Sequence, residues 1–559
     1  MDPSTVPVPA GSKSAGSRTV GSRLGRAALV AIPAAFLGYF FVYPLVSITI
    51  RGLTVDGSID LGIVGRVLGD PTLQRIAWFT LWQATVSTLL TVIIAMPAAW
   101  VFARFDFRGK RVLKAITLIP FVLPTLVVAT AFLALIGPRG VSGVDLTGTV
   151  WIILIAHVFY NYAIVVRGVG AYWERIDPDI ERAARTLGAS PLTVFRTVTL
   201  PLLRPAIAST SALIFLFSFT SFGVVLLLGD LTYTTIEVEI WRQATAFLRL
   251  DIASTLAVLQ LIGVGVVLIL YGRYQRRTAV VFHHDVVRPP KPETRRDKIL
   301  VSGIVASMVA IVGIPIAVLV WKSFVEPTGG LGFGNYSSLA SLPAQSAAFV
   351  DPIEAIANSL RFATIAGLIA LFIGVLASAA LTYSSRRVSS LFDIFVMLPL
   401  GTSAVTIGFG FLVALDWPVD LRASLILIPI AHALVAIPFV VRTTTPTLGS
   451  IQRQLRDAAA TLGASPWRAW WSVEFKLVGR AILVGGAFAF AISMGEFGAT
   501  AFIARPGAPT MPIAIFKLLG RPGGSPFGAA LAMSVILMVV TAAAILIIDS
   551  IRPEQQGDL

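Results

Sequence analysis

The sequence predicts an all-α polytopic membrane protein with about twelve transmembrane helices, arranged as two parallel six-helix repeats. Three observations carry this. Of 559 residues, 56% are hydrophobic and 13% charged, with a mean hydropathy of +0.84, a composition outside that of soluble domains. Apolar runs of about 18 residues or more recur, long enough to cross about 30 Å of hydrocarbon as helices, and they are continuous where a β-barrel would alternate. Finally, one polar stretch occurs twice. Residues 181–207 read ERAARTLGASPLTVFRTVTLPLLRPAI, and residues 456–482 read RDAAATLGASPWRAWWSVEFKLVGRAI. Their central glycines, Gly188 and Gly463, stand 275 positions apart, and the same shift maps His157 onto His432, Arg167 onto Arg442, Phe222-Gly223 onto Phe497-Gly498 and Thr235 onto Thr510. Agreement over that distance indicates a duplicated unit.

Residues 1–26 are rich in Gly, Ser and Pro and carry Lys13, Arg18, Arg23 and Arg26, which predicts a disordered basic tail. The apolar run at 27–50 is too long for a signal-peptide core and lacks a clear cleavage site, so it is expected to remain as the first span. Spans at 77–103, 113–137, 149–168, 206–228 and 253–272 complete a first transmembrane domain over 27–272. Spans at 299–322, 358–383, 391–415, 423–442, 480–503 and 527–549 build a second domain over 299–551, followed by a tail at 552–559. Residues 273–298, with Pro289, Pro290, Pro292 and many charges, read as a solvated linker. The His283-His284 pair in it has no carboxylate or cysteine nearby in sequence, so no metal site is expected. The chain has no cysteine, which excludes disulfides and thiolate chemistry.

The formal charge of +15 is a membrane-topology signal rather than a sign of nucleic-acid binding. Arg104, Arg108, Lys110, Arg111 and Lys114, the linker cations, and Arg386 and Arg387 all fall on one side of the predicted spans, with both polar repeats and both termini. The opposite loops, such as 138–148 and 417–422, are nearly free of Lys and Arg. The positive-inside rule places the basic side in the cytoplasm.

Each polar repeat has the signals of a helix–turn–helix elbow. Asp177 to Leu187 favours helix, Gly188 stands where a helix would end in the left-handed conformation, and Ser190 with Pro191 can start the next helix. Gly463, Ser465 and Pro466 repeat these signals. The pattern resembles the EAA loop of ABC importer permeases, E-A-A-x3-G-x9-I-x-L-P. Gly188 is followed at that spacing by Val198, Leu200 and Pro201; Gly463 is followed by Val473 and Phe475, with Lys476 replacing the proline. The acidic position is irregular: Arg182 occupies it in the first copy, with Glu181 one place earlier, and Asp457 fills it in the second. The resemblance implies that Glu181, Ala183, Ala184 and Gly188, with Asp457, Ala458, Ala459 and Gly463, form two cytoplasmic coupling helices. It further implies partners: two copies of an ABC ATPase subunit, and an extracytoplasmic binding protein that delivers substrate. The chain has no G-x-x-x-x-G-K-[S/T] loop, since its one Gly-Lys pair, Gly109-Lys110, runs into Arg111. It is therefore expected to be no enzyme and to need no cofactor of its own.

Fusion of two permease halves in one chain is similar to the ferric-iron and thiamine branch of these importers. Residues 218–243 resemble the thiamine-type permeases more than the iron ones, particularly at Thr234-Thr235-Ile236-Glu237, while 493–519 has a form shared with iron-type relatives. Thiamine, an aromatic cation, would want aromatic faces and a carboxylate; ferric iron would want oxygen ligands. Glu496 is the sharpest pathway candidate, because a carboxylate inside a span is costly and seldom faces lipid; it reads equally as a structural group bonded between helices. Its counterpart is Ser221. Tyr160, Asn161 and Tyr162 form a polar-aromatic cluster without a match in the second half and could line the pathway. His157 and His432 read as structural. The alternative is an ion-coupled secondary transporter, which would leave the two elbows unexplained.

Overall fold

The structure, a computed structural model, describes residues 29–55, 58–60, 62–230, 232–278, 289–341 and 351–551. The expected tails and His283-His284 lie outside the described residues. Among them, ten helices are long and apolar enough to cross a membrane, and two further helix pairs each form a sharply bent span. In the first half these are α1 (Leu29–Leu53), α2 (Pro71–Arg104), the bent pair α3 (Lys110–Val122) and α4 (Thr125–Ile136), and α5 (Val150–Glu174). There follow the short α6 (Pro178–Thr186), α7 (Pro191–Phe219), the short α8 (Gly223–Leu228) and α9 (Ile236–Thr245), and α10 (Leu250–Thr278). The second half repeats the order with α11 (Arg295–Ser323), α12 (Pro352–Tyr383), the bent pair α13 (Arg386–Met397) and α14 (Ala404–Ala414), α15 (Leu427–Gly449), α16 (Arg453–Thr461), α17 (Trp467–Gly495), α18 (Thr500–Ile503), α19 (Met511–Leu519) and α20 (Gly524–Ile551). A two-residue hairpin pairs Thr54–Val55 with Ser58–Ile59.

Local chemistry sets the repeated boundaries. Both long helices α2 and α12 start at an Asp-Pro step. The Asp70 carboxylate accepts from the backbone N–H of Thr72 at 2.7 Å, and that of Asp351 from Ile353 at 2.8 Å, satisfying donors at a helix start, while the proline fits the first turn.

The spans expected at 113–137 and 391–415 are not straight. Helices α3 and α4 meet at 99° across Leu123-Pro124, where the proline cannot donate a hydrogen bond and forces Leu123 into an extended conformation (ψ 135°). The α13–α14 pair bends by 96° near Thr402-Ser403, and the Ser403 hydroxyl accepts from the Thr406 N–H at 3.1 Å to restart the helix. The runs at 206–228 and 480–503 also break: α7 ends before Thr220, and α17 ends before Glu496. Apolar composition revealed the lengths of these runs but not their bends.

Each half packs around a tight helix pair, α2 on α5 and α12 on α15. Small residues line both contacts. Ala95, Ala98 and Ala99 are buried on α2, and a Cβ at Gly374 of α12 would lie 2.8 Å from the Cβ of Val440. Close backbone approach of this kind gives helix association in lipid, where the hydrophobic effect is missing. The first helix of each half reaches across: α1 packs on α10 and on α14 of the other half, and α11 packs on α20 and on α4. Each half therefore clasps the other.

Gly408 of α14 sits so close to the chain before α18 that an added Cβ would lie 2.5 Å from the Ala499 carbonyl oxygen. Gly408→Ala is expected to cost about 1–3 kcal/mol through overpacking, read as a lower thermal midpoint of the detergent-solubilised protein. Gly303→Ala, where no atom lies within 4 Å of the new Cβ, should leave the midpoint unchanged.

Candidate functional site: two elbows and a central cavity

The elbows form as their sequence dictates. The Asp177 carboxylate accepts from the Asp179 N–H at 2.8 Å and starts α6. At its end Gly188 takes φ +86°, and the Ala189 N–H reaches back to the Ala184 carbonyl at 3.2 Å. Gly463 takes φ +82°, with Ala464 donating to Ala459 at 3.0 Å. Both are Schellman closures, which need the left-handed backbone that glycine supplies. Ser190 and Ser465 then cap the next helices, accepting from Thr193 and Arg468. Each of those helices passes, after its first α-turn, through a π-turn at the repeat-related positions Phe195–Thr199 and Trp470–Glu474. Leu187 and Leu462, also repeat-related, are each 88% exposed, more than any other large apolar side chain among the described residues. Ala183, Asp457 and Ala458 are exposed beside them, while Ala184 and Ala459 are half-buried.

Glu181 faces into the protein at the base of the elbow. Its Oε1 accepts from Arg104 at 2.8 Å and Thr199 at 3.0 Å, and Arg104 also donates to the Ile176 carbonyl. The side chain is mostly covered and ties the elbow to the end of α2 and to the π-turn. Arg182, in the motif's acidic position, is exposed and pairs with Asp179 at 2.6 Å.

The four breaks converge on a central cavity of about 290 Å³ between the halves, lined by Leu123-Pro124, Ser403-Ala404, Ser221-Phe222 and Glu496-Phe497. Phe121, Phe217, Phe439 and Phe488 give it an aromatic wall. Tyr160, Asn161, Ser221 and Glu496 all line it. Tyr162 does not: at 100° per residue it projects from the other side of α5 and is buried against Phe102 and Val165 in the core of the first half. Glu496 stands at a break rather than inside a continuous helix, and its carboxylate accepts from the Ala499 N–H at 3.0 Å. Asn161 donates to the His157 carbonyl, and its buried Oδ1 has no partner.

The two histidines secure the breaks. His157 joins Ser87 (3.0 Å) to Ser221 (2.9 Å); His432 joins Ser493 (2.7 Å) to Thr500 (2.8 Å). Hydroxyls from the long helices satisfy the short ones: Thr80 accepts from the Ile236 N–H at 3.0 Å and Ser359 from the Met511 N–H at 2.7 Å, at repeat-related helix starts.

Two features escaped sequence reasoning. Glu496 is not the only buried carboxylate near the axis, since Glu237 and Glu239 on α9 are both buried. Glu237 accepts from Gln260 and, across the two halves, from Ser403 at 2.9 Å; Glu239 accepts from Gln243 and Arg242. Their burial has no local signal, because α9 is too short and polar to register as a span. The second is a ring of four aromatics. Phe222 stacks on Phe497 with centroids 5.3 Å apart, Phe222 meets Trp241 at 6.2 Å, Phe497 meets Phe516 at 5.5 Å, and Trp241 meets Phe516 at 6.0 Å. The 275-residue shift maps Trp241 onto Phe516, so this signal was present in the sequence.

Residues 92–280 and 355–555 both match the family described as "Binding-protein-dependent transport system inner membrane component". The thiamine transport system permease protein ThiP of Brucella abortus (strain 2308) is 28% identical over 507 residues, covering 86% of this chain and 88% of that protein. Its namesake in Salmonella typhimurium is 26% identical over 501 residues, 86% of this chain and 90% of that protein. The probable ABC transporter permease protein y4fN of Sinorhizobium fredii is 25% identical over 532 residues, 90% of this chain and 91% of that protein. Two family matches that together take in most of the chain, one on each repeat, identify the protein as a member of the binding-protein-dependent transport system inner membrane components, in the form of a fused two-domain ABC permease.

Proposed function

We propose that this chain is the membrane pathway of an ATP-driven importer of thiamine. Its two elbows each seat one ATPase subunit on the cytoplasmic side, and an extracytoplasmic binding protein delivers the solute opposite. The single observation that carries the coupling role is the pair of repeat-related elbows, each closed by a left-handed glycine beside a leucine that is 88% exposed. One exposed leucine is ordinary on a protein surface; what supports a docking role is that the same exposed leucine follows the same helix at both repeat-related elbows. The basic residues Arg104, Lys110, Arg111, Arg386 and Arg387 lie at the elbow ends of their helices, which favours that side as cytoplasmic. Glu181 acts here as a positioning residue: through Arg104 and Thr199 it transmits movement of the first elbow to α2 and α7.

The cavity favours an organic cation over a metal ion. Phenyl faces, the Glu496 carboxylate and the unpaired Asn161 Oδ1 suit a flat cationic heterocycle with hydrogen-bond donors. The relatives named for thiamine transport support the same substrate. Ferric iron would want several oxygen ligands together, and among the described residues no three acidic, histidine or cysteine side chains form such a group. The aromatic ring roofs the cavity and is read as the closed gate on the side away from the elbows.

Uptake into vesicles holding the chain with its ATPase and binding protein tests this reading. Radiolabelled thiamine is expected to accumulate with ATP and ferric iron is not; accumulation driven by an ion gradient without ATP would overturn the importer mechanism. Gly188→Pro and Gly463→Pro, which cannot adopt positive φ, are expected to abolish uptake and ATPase co-purification while the protein still inserts. Normal transport by both would refute the coupling role. Glu496→Gln keeps an acceptor for the Ala499 N–H and removes the charge, so the KM for thiamine should rise about tenfold, a 1.4 kcal/mol effect, with ATPase association unchanged.

A further inference from the structure

A second cavity, of about 590 Å³, lies under the first elbow, between α2, the end of α5 and the π-turn of α7. Ile93, Met96, Trp100 and Phe195 form its apolar walls, and Ile93 is 65% exposed on the lipid-facing surface of α2. The cavity is therefore continuous with the face that contacts acyl chains. Its polar end holds three distinct groups. Trp173 is 2% exposed, and its indole N–H is buried without a hydrogen-bond partner. Arg185, in the last turn of α6, lines the cavity and forms no ion pair among the described residues. Glu181 also lines it, but its charge is matched by Arg104 at 2.8 Å and its Oε1 already accepts from Thr199. Glu181, Arg104 and Arg185 together leave one positive charge at the elbow end of an apolar groove.

The second half lacks the indole and the guanidinium at the matching positions. The repeat shift places Leu448 at the position of Trp173 and Ala460 at that of Arg185, and Trp470 packs against Leu448 there. An unpaired indole donor in an apolar setting costs about 1–3 kcal/mol, which a bound acceptor would recover. We infer that this cavity is a site for one anionic phospholipid, whose phosphate accepts from the Trp173 N–H and pairs with Arg185 while an acyl chain lies along Met96 and Trp100. A net anionic headgroup answers the net positive charge, and the apolar length of the groove calls for a lipid rather than a free phosphate. The site makes the first elbow, but not the second, responsive to membrane composition.

The test is native mass spectrometry of the purified full chain with phosphatidylglycerol, phosphatidylcholine or glycerol 3-phosphate added separately and in competition. Phosphatidylglycerol should be retained in preference to the other two. Arg185→Gln should weaken that retention about tenfold or more, the scale of a lost charged hydrogen bond. Trp173→Phe keeps the ring and should also reduce the preference, whereas a purely structural tryptophan would lower the thermal midpoint and leave the preference intact. Equal retention of the two lipids, a preference unchanged in both variants, or competition by glycerol 3-phosphate as strong as by phosphatidylglycerol would overturn the proposal.

Discussion

Hydrocarbon offers a broken helix no water, so every backbone group freed at a break must find a partner inside the protein. This constraint organises the whole structure. Four breaks per molecule converge near the axis, and the groups that secure them come from the long helices that pack tightest. Thr80 and Ser359 receive the first N–H groups of α9 and α19, Gln83 donates to the Ser218 carbonyl at the end of α7, His432 bridges hydroxyls on either side of the break at Glu496, and His157 ties Ser221 to Ser87 of α2. The small-residue contacts of α2 with α5 and α12 with α15 then have a double purpose. They hold each half together and bring the polar side chains within reach of the breaks.

Once the breaks are secured, their exposed edges make a cavity, and duplication makes it nearly two-fold. The aromatic ring closes it with repeat-related residues, each contact contributing about 0.5–1.5 kcal/mol beyond area burial. Departures from symmetry concentrate where chemistry is wanted. Glu496 has Ser221 as its counterpart; Glu237 crosses to Ser403 while its own counterpart is Pro512; and Trp173, with its unpaired indole beneath the first elbow, has Leu448 as its counterpart. Duplication supplied a scaffold, and unpaired substitutions within it made the two sides of the cavity chemically different.

The helix inventory and both elbows were legible because their signals are local: apolar run length, the Gly188 and Gly463 closures, and the serine-proline starts that follow. The cavity was legible only in part. Glu496, Ser221, Tyr160 and Asn161 meet there, because a polar group inside an apolar run has few other places to go. Tyr162 was misplaced because adjacent residues on a helix point in different directions, and its core contacts come from α2, far away in sequence. The sharp bends were missed because apolar composition reports length, not direction. Glu237 stayed hidden in a helix too short to register as a span. Glu181 was legible as part of a motif, but its grip on Arg104 joins residues 77 positions apart and no local signal announces it.

The proposed function requires that movement at the elbows and opening at the aromatic ring be one motion. The chain has no cysteine, so spin labels placed at the exposed, repeat-related Thr186→Cys and Thr461→Cys, beside the two leucines rather than on them, report on the two elbows. The measurement is the inter-label distance, by pulsed electron resonance, in the assembled complex with and without a non-hydrolysable ATP analogue, with a second label pair reporting across the gate. The account predicts that nucleotide brings the elbows together and that the gate pair separates in the same population. A gate that opens while the elbow distance stays fixed, or elbows that close over an unchanged gate, would contradict it.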